Sequence, residues 1–143
     1  MRLFDAGPLI ALVGGEPGES AVASLLADGD AGIPAPNLAE VIDSLTRHQR
    51  LSESALRAVF NPLLGSSLTV LRTDAEHAWR AGLLRARYHH RSRRPLSVLD
   101  CTLLAYAGDY DSIVTSDRAL IATAREESIA VEPVPDSRGE LPQ

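Results

Sequence analysis

Short apolar runs alternate with amphipathic helical stretches along this chain, and that alternation leaves few ways to fold it. Residues 2–5, 33–35, 68–71, 113–115 and 129–131 read as strands. Between them, Leu9–Val13, Ser20–Leu26, Ser52–Leu63, Ser97–Tyr106 and Asp117–Glu126 read as helices. Two more helices are predicted, one from Asn37 with its stripe of Leu38, Val41, Ile42 and Leu45, the other from Thr73 or Asp74 to about Tyr88. Strands separated by helices predict an α/β fold with a parallel sheet covered on both faces. The length of 143 residues suits one domain with a single core. Aromatic residues are only 4%, so that core must rest on Leu, Val, Ile and Ala. The domain is expected over residues 1–132, and residues 133–143 (PVPDSRGELPQ) have the composition of a loose tail.

Charge and special residues exclude several kinds of chemistry. All 14 basic residues are Arg, so no lysine is available for Schiff-base, P-loop or general-base roles. The net charge of −5 argues against a general basic coat for nonspecific binding. A single cysteine, Cys101, excludes an intramolecular disulfide. Asp5 and Pro8 interrupt the N-terminal apolar stretch, and no run reaches the ~18 apolar residues of a membrane span. The expectation is a soluble, cytoplasmic protein without a membrane partner.

Four acids stand where elements begin or end. Asp5 and Asp117 follow apolar strand-like runs; Glu40 and Asp100 fall in the early turns of apolar helices. Carboxylates gathered at one rim of an α/β sheet are what Mg²⁺ or Mn²⁺ requires. Each also has a plainer reading. Asp5 and Asp117 suit helix N-caps, and Asp100 suits a first helical turn favoured by the helix dipole. Glu40 lies opposite the apolar stripe of its helix, facing either solvent or a cleft. Asp100 is the most informative, because it is the only charge between Leu96 and Ala107 and is expensive to bury unpaired.

Taken in order, LFDAGPLIALV, NLAEV, LSVLD and TSDRAL resemble the PIN domain, and more narrowly the VapC-type ribonuclease toxins of bacterial toxin–antitoxin pairs. The likeness runs over about residues 1–132. It implies a three-layer α/β/α fold with a parallel sheet of five strands. It also implies Mg²⁺- or Mn²⁺-dependent endoribonuclease activity, a homodimer, an RNA substrate and inhibition by a small cognate antitoxin. The family's acids carry over to Asp5, Glu40, Asp100 and Asp117, with Asp5, Asp100 and Asp117 as metal ligands. Asn37 and Thr115 become supporting polar residues. One departure is Gly7, where the family often has a Ser or Thr hydroxyl near the metal.

Arg85, Arg87, Arg91, Arg93 and Arg94, with His89 and His90, form the one dense basic cluster, a candidate RNA contact. Its alternative is an ordinary solvated helix end. His48 and His77 read as surface or structural residues, Cys101 as a buried small residue, and Trp79 and Tyr106 as packing residues. Rival readings are an inert PIN-like interaction module and a PIN nuclease of RNA maturation without an antitoxin. A receiver-type signalling domain pairs its strand-end acids with a lysine, and this chain has none.

Overall fold

A computed structural model describes residues 1–143. Its first strand, β1 (Arg2–Phe4), is three residues long and lies in the middle of the sheet. Around it the chain forms α1 (Ala6–Gly14), α2 (Glu19–Ala27), β2 (Ala31–Pro34), α3 (Ala35–His48), α4 (Glu53–Ser66) and β3 (Leu68–Leu71). Then follow α5 (Ala75–Tyr88), α6 (Val98–Ala107), β4 (Ser112–Thr115), α7 (Arg118–Glu126) and β5 (Val131–Pro133). The five strands are all parallel, in the order β3-β2-β1-β4-β5. The expected five-stranded α/β/α architecture is present.

The strand order explains where a site can form. The chain moves outward from β1 to β2 and β3, then returns to lay β4 on the other side of β1. Connections leave β1 and β4 in opposite directions, opening a crevice at their carboxyl ends, where open α/β sheets bind ligands. Phe4 pairs with Val114, and the Asp5 amide donates to the Val114 carbonyl at 3.0 Å. The residues just beyond these strands are therefore neighbours.

Alternation along the strands divides the core into two layers. Phe4, Ile33 and Val114 pack on one face with Leu9, Val22, Val41 and Phe60. Leu3 and Ile113 point to the other face, against Leu103, Leu104, Tyr106 and Leu120. Period-two side-chain direction is what lets so short a central strand serve both layers.

Two expectations change here. The last strand begins two residues later than its apolar pattern suggests, because Ser128 adopts a left-handed conformation (φ 59°) and the Ile129 amide bonds back to the Ala124 carbonyl at 2.8 Å. Ile129 thus closes α7 rather than opening β5. Beyond Pro133 the chain is tied down: Val134 is buried and its amide reaches the Thr115 carbonyl at 3.1 Å. Asp136 Oδ1 then accepts from the amides of Arg138 and Glu140. No single helix is long and apolar enough to cross a membrane.

Candidate active site

Asp5 leaves the end of β1 and immediately caps α1. Its Oδ1 accepts from the Ala6 amide at 2.8 Å, and its Oδ2 accepts from Thr115 Oγ1 at 2.8 Å. Thr115, the last residue of β4, in turn accepts from the Asp117 amide at 3.0 Å. Asp117 caps α7 through the Leu120 amide at 2.7 Å. One hydroxyl thus ties two acids from opposite sides of the switch point.

Asp100 completes a capping box at the start of α6. It accepts from the Ser97 amide at 2.6 Å while the Ser97 hydroxyl accepts from the Asp100 amide at 3.0 Å. Asn37, fully buried in the first turn of α3, donates through Nδ2 to the Leu99 carbonyl at 3.1 Å. That bond fastens α3 to α6 beside Asp100, and Glu40 follows one turn later. The plainer reading of Asp5, Asp100 and Asp117 as helix caps is therefore correct, and the caps are gathered at one place.

Electrostatics record that convergence. Burial pushes the Asp5 carboxyl from 3.8 to about 7; the Thr115 bond opposes the shift and the Asp100 charge adds to it. Asp100 is raised by burial, against the pull of Ser97, with Asp117 adding to the rise. Glu40 is raised by burial, then by Asp100 and Asp43. Glu40 therefore faces the cleft rather than open solvent. No arginine or histidine lowers any of these three carboxyls.

The donor set fits a hard divalent cation. It offers carboxylate oxygens together with the Asn37 amide oxygen, which is buried and accepts no hydrogen bond. As the side chains stand, no three of them close on one point as a finished metal cage. The reason is visible in their bonds: Asp100 and Asp117 turn back to cap their own helices. A loosely gathered set suits Mg²⁺, which keeps several waters and takes one or two carboxylates.

The basic cluster does not act as one patch. Arg85 donates to the Leu96 carbonyl at 3.1 Å, Arg87 pairs with Glu127 at 3.3 Å, and Arg94 pairs with Glu126. Arg91 and Arg93 remain as its exposed cations without an acidic partner. Arg93 and Arg94 line a shallow cleft together with Asp117 and Arg118. Arg118 was missed in the sequence because it stands alone, outside the dense run of arginines. Its signal is its place directly after Asp117.

Other residues divide between core and surface. Tyr106 is buried and its hydroxyl donates to the Arg72 carbonyl. His77 stacks on it at 3.8 Å between ring centroids and contacts Asp74 and Asp109. Cys101 is buried, and desolvation pushes its thiol up to about 11. Trp79, read as a packing residue, is instead 71% exposed. Helix α5 turns Ala81, Leu84 and Tyr88 inward at helical spacing, leaving Trp79 and Leu83 outside.

Thr115 offers a direct check of this framework. Thr115→Val keeps the shape but removes the donor to Asp5 and the acceptor for Asp117. A loss of about 1–3 kcal/mol in unfolding free energy is expected by urea titration at pH 7. Unchanged stability would mean that the bridge carries no weight.

The PIN domain family profile matches residues 2–129. None of the curated proteins matches the chain. Among solved structures, it is similar to VapC20 of Mycobacterium tuberculosis, a sarcin-ricin loop cleaving toxin, at 19% identity and a TM-score of 0.64. That likeness covers 79% of this chain and 87% of the other. A toxin–antitoxin complex from Klebsiella pneumoniae aligns at 20% identity and a TM-score of 0.60, over 82% and 87% of the two chains. FitAcB from Neisseria gonorrhoeae aligns at 18% identity and a TM-score of 0.67, over 92% and 96%.

Proposed function

The chain belongs to the PIN-domain family, and from that premise we propose that it is a divalent-metal-dependent endoribonuclease, the toxin of a toxin–antitoxin pair. The observation that carries this reading is the group of acids from β1, α3, α6 and α7. The Asp5, Glu40 and Asp100 carboxyls are raised by burial first and by neighbouring acids second, with no cationic side chain to relieve them. Mg²⁺ or Mn²⁺ bound there would lower the pKa of a water and offset negative charge growing on the scissile phosphate.

The chain's own groups then have distinct tasks. Asp5, Asp100 and Asp117 would hold the cation, directly or through water, with Asn37 as a supporting polar residue whose amide oxygen is unpartnered. Thr115 fixes Asp5 and Asp117 relative to each other. Glu40, half-buried with a raised pKa, is suited to accept a proton from the attacking water through its carboxylate. Cleavage of mixed tRNA and rRNA with Mn²⁺, with Mg²⁺ and with EDTA tests the reading. Cutting that persists in EDTA would refute the metal requirement, and no cutting with no metal binding would favour an inert module.

For RNA, the cleft beside Asp117 supports phosphate contacts from Arg93, with Arg91 nearby in sequence; Arg118 lines the same cleft but pairs with Glu140 at 3.3 Å. Arg85 and Arg87, already engaged within the protein, are set aside as RNA contacts, and Arg94 is half-committed to Glu126. Arg91→Ala with Arg93→Ala should weaken binding of single-stranded RNA and reduce the slope of log affinity against log salt by about 1.4. Filter binding from low to moderate salt measures this. An unchanged slope would move the phosphates elsewhere.

A small antitoxin is the proposed protein partner, and the apolar groove between α3 and α4 supports it. Leu38, Ile42, Leu56, Phe60 and Leu64 line that groove, which suits the apolar face of a helix. Homodimerisation is supported by the exposed Trp79 and Leu83, one turn apart on α5.

A further inference from the structure

We propose that Ser116 is a positioning residue of the acidic centre, its hydroxyl orienting cation-bound water from the side that Gly7 leaves open. The proposal rests on the reading of that centre as a cation site. It concerns a residue between two that are already occupied. Thr115 Oγ1 is engaged by Asp5 and by the Asp117 amide, and the Asp117 carboxylate by the Leu120 amide. The half-exposed Ser116 hydroxyl takes part in none of these bonds.

Its position is defined by Gly7. A Cβ built on Gly7 would have Ser116 Oγ as its nearest neighbour, at 3.6 Å. Ser116 therefore lies over the first turn of α1, the turn that Asp5 caps. In the chain it stands between Thr115, which donates to Asp5, and Asp117. The distance is ordinary van der Waals contact, so a serine at residue 7 fits without a clash and brings its hydroxyl beside that of Ser116.

Chemistry gives the hydroxyl a task that the acids cannot perform. Ionised carboxylates only accept hydrogen bonds, whereas a hydroxyl both donates and accepts. A water beside several carboxylates directs its protons to them and needs a donor for its remaining lone pair. The Thr115 proton is already given to Asp5. The Ser116 proton is not engaged. The buried Asn37 amide oxygen, which has no partner, is an independent sign that this centre is built around a ligand.

The test is Mn²⁺ affinity, measured by calorimetry on wild type, Ser116→Ala, Gly7→Ser/Ser116→Ala and Asp100→Asn, with thermal melts of each. Ser116→Ala should bind about 10-fold more weakly with an unchanged melt, as expected for an outer-shell partner. The double variant should recover affinity close to wild type, since it restores a hydroxyl on the same side of the centre. Wild-type affinity in Ser116→Ala, with Asp100→Asn weakened, would overturn the proposal and leave the acidic centre standing. A weakened Ser116→Ala that the double variant fails to recover would refute the Gly7-side placement. A wild-type protein that binds no Mn²⁺ would overturn both.

Discussion

Asp100→Asn is expected to lower metal-dependent RNA cleavage by at least about 100-fold while leaving the protein folded. The amide keeps an oxygen that can accept the Ser97 amide, so the capping box loses its charge but not its geometry. It also removes one of the charges that raise Asp5 and Glu40. Loss of the favourable helix-dipole contact is worth about 0.3–1 kcal/mol, and relief of a buried carboxylate acts the other way. The metal-free variant should therefore melt close to wild type at pH 7.5, with its Mn²⁺ affinity reduced. Full activity in a folded Asp100→Asn protein would remove Asp100 from the site. Lost activity with a collapsed melt would instead mark it as a structural cap.

Metal-free protein should lose stability as pH rises from about 4 to 7, and divalent metal should abolish that loss. The sign follows from Asp5. Its folded pKa of about 7 lies above the ordinary 3.8. Between those values the unfolded chain has released a proton that the folded chain still holds, so raising pH favours unfolding. The contribution is fully present below the unfolded value and gone above the folded one, and amounts to roughly 4 kcal/mol. Asp100 and Glu40, also raised, act in the same sense. Asp43, Asp111 and Glu126, lowered by their cationic partners, act oppositely, but only as pH falls through their own depressed values.

In EDTA the melting temperature should therefore be lower at pH 8 than at pH 5, by on the order of 10 °C for a chain of this size. In excess Mn²⁺ the two should converge, because a cation that binds only the folded carboxylates offsets their repulsion. Equal melting at both pH values in EDTA would show that burial does not hold the Asp5 carboxyl above its ordinary pKa.

Much of this was legible in the sequence because local chemistry and fold agree. Ser52, Asp74, Ser97 and Asp117 announce helix starts and cap them. The apolar runs of β1 and β4 lie in the centre, where both faces are buried. What was hidden depended on contacts between distant segments. Nothing near Arg87 or Arg94 in the sequence announces that Glu127 and Glu126 neutralise them. The amide of Asn37 reaches Leu99 across 62 positions. Trp79 misled for a different reason: a large apolar residue suggests core, but the inward stripe of α5 was already filled by its smaller neighbours. The tail misled through composition, since Pro, Asp and Gly there form a hydrogen-bonded turn around Asp136.

The insertion of β4 beside β1 has a consequence during synthesis. β1 is made well before β4, so one of its edges stays unpaired until residues 112–115 follow. Asp5 then gains Thr115, and Asp117 arrives two residues later. A nascent chain thus carries Asp5 for 110 positions before the partner that holds it is made. A chain released before residue 112 lacks β4, Thr115 and Asp117, and with them the centre. For the nuclease proposed above, the order of strands in the sheet would itself be a safeguard for the machinery producing it.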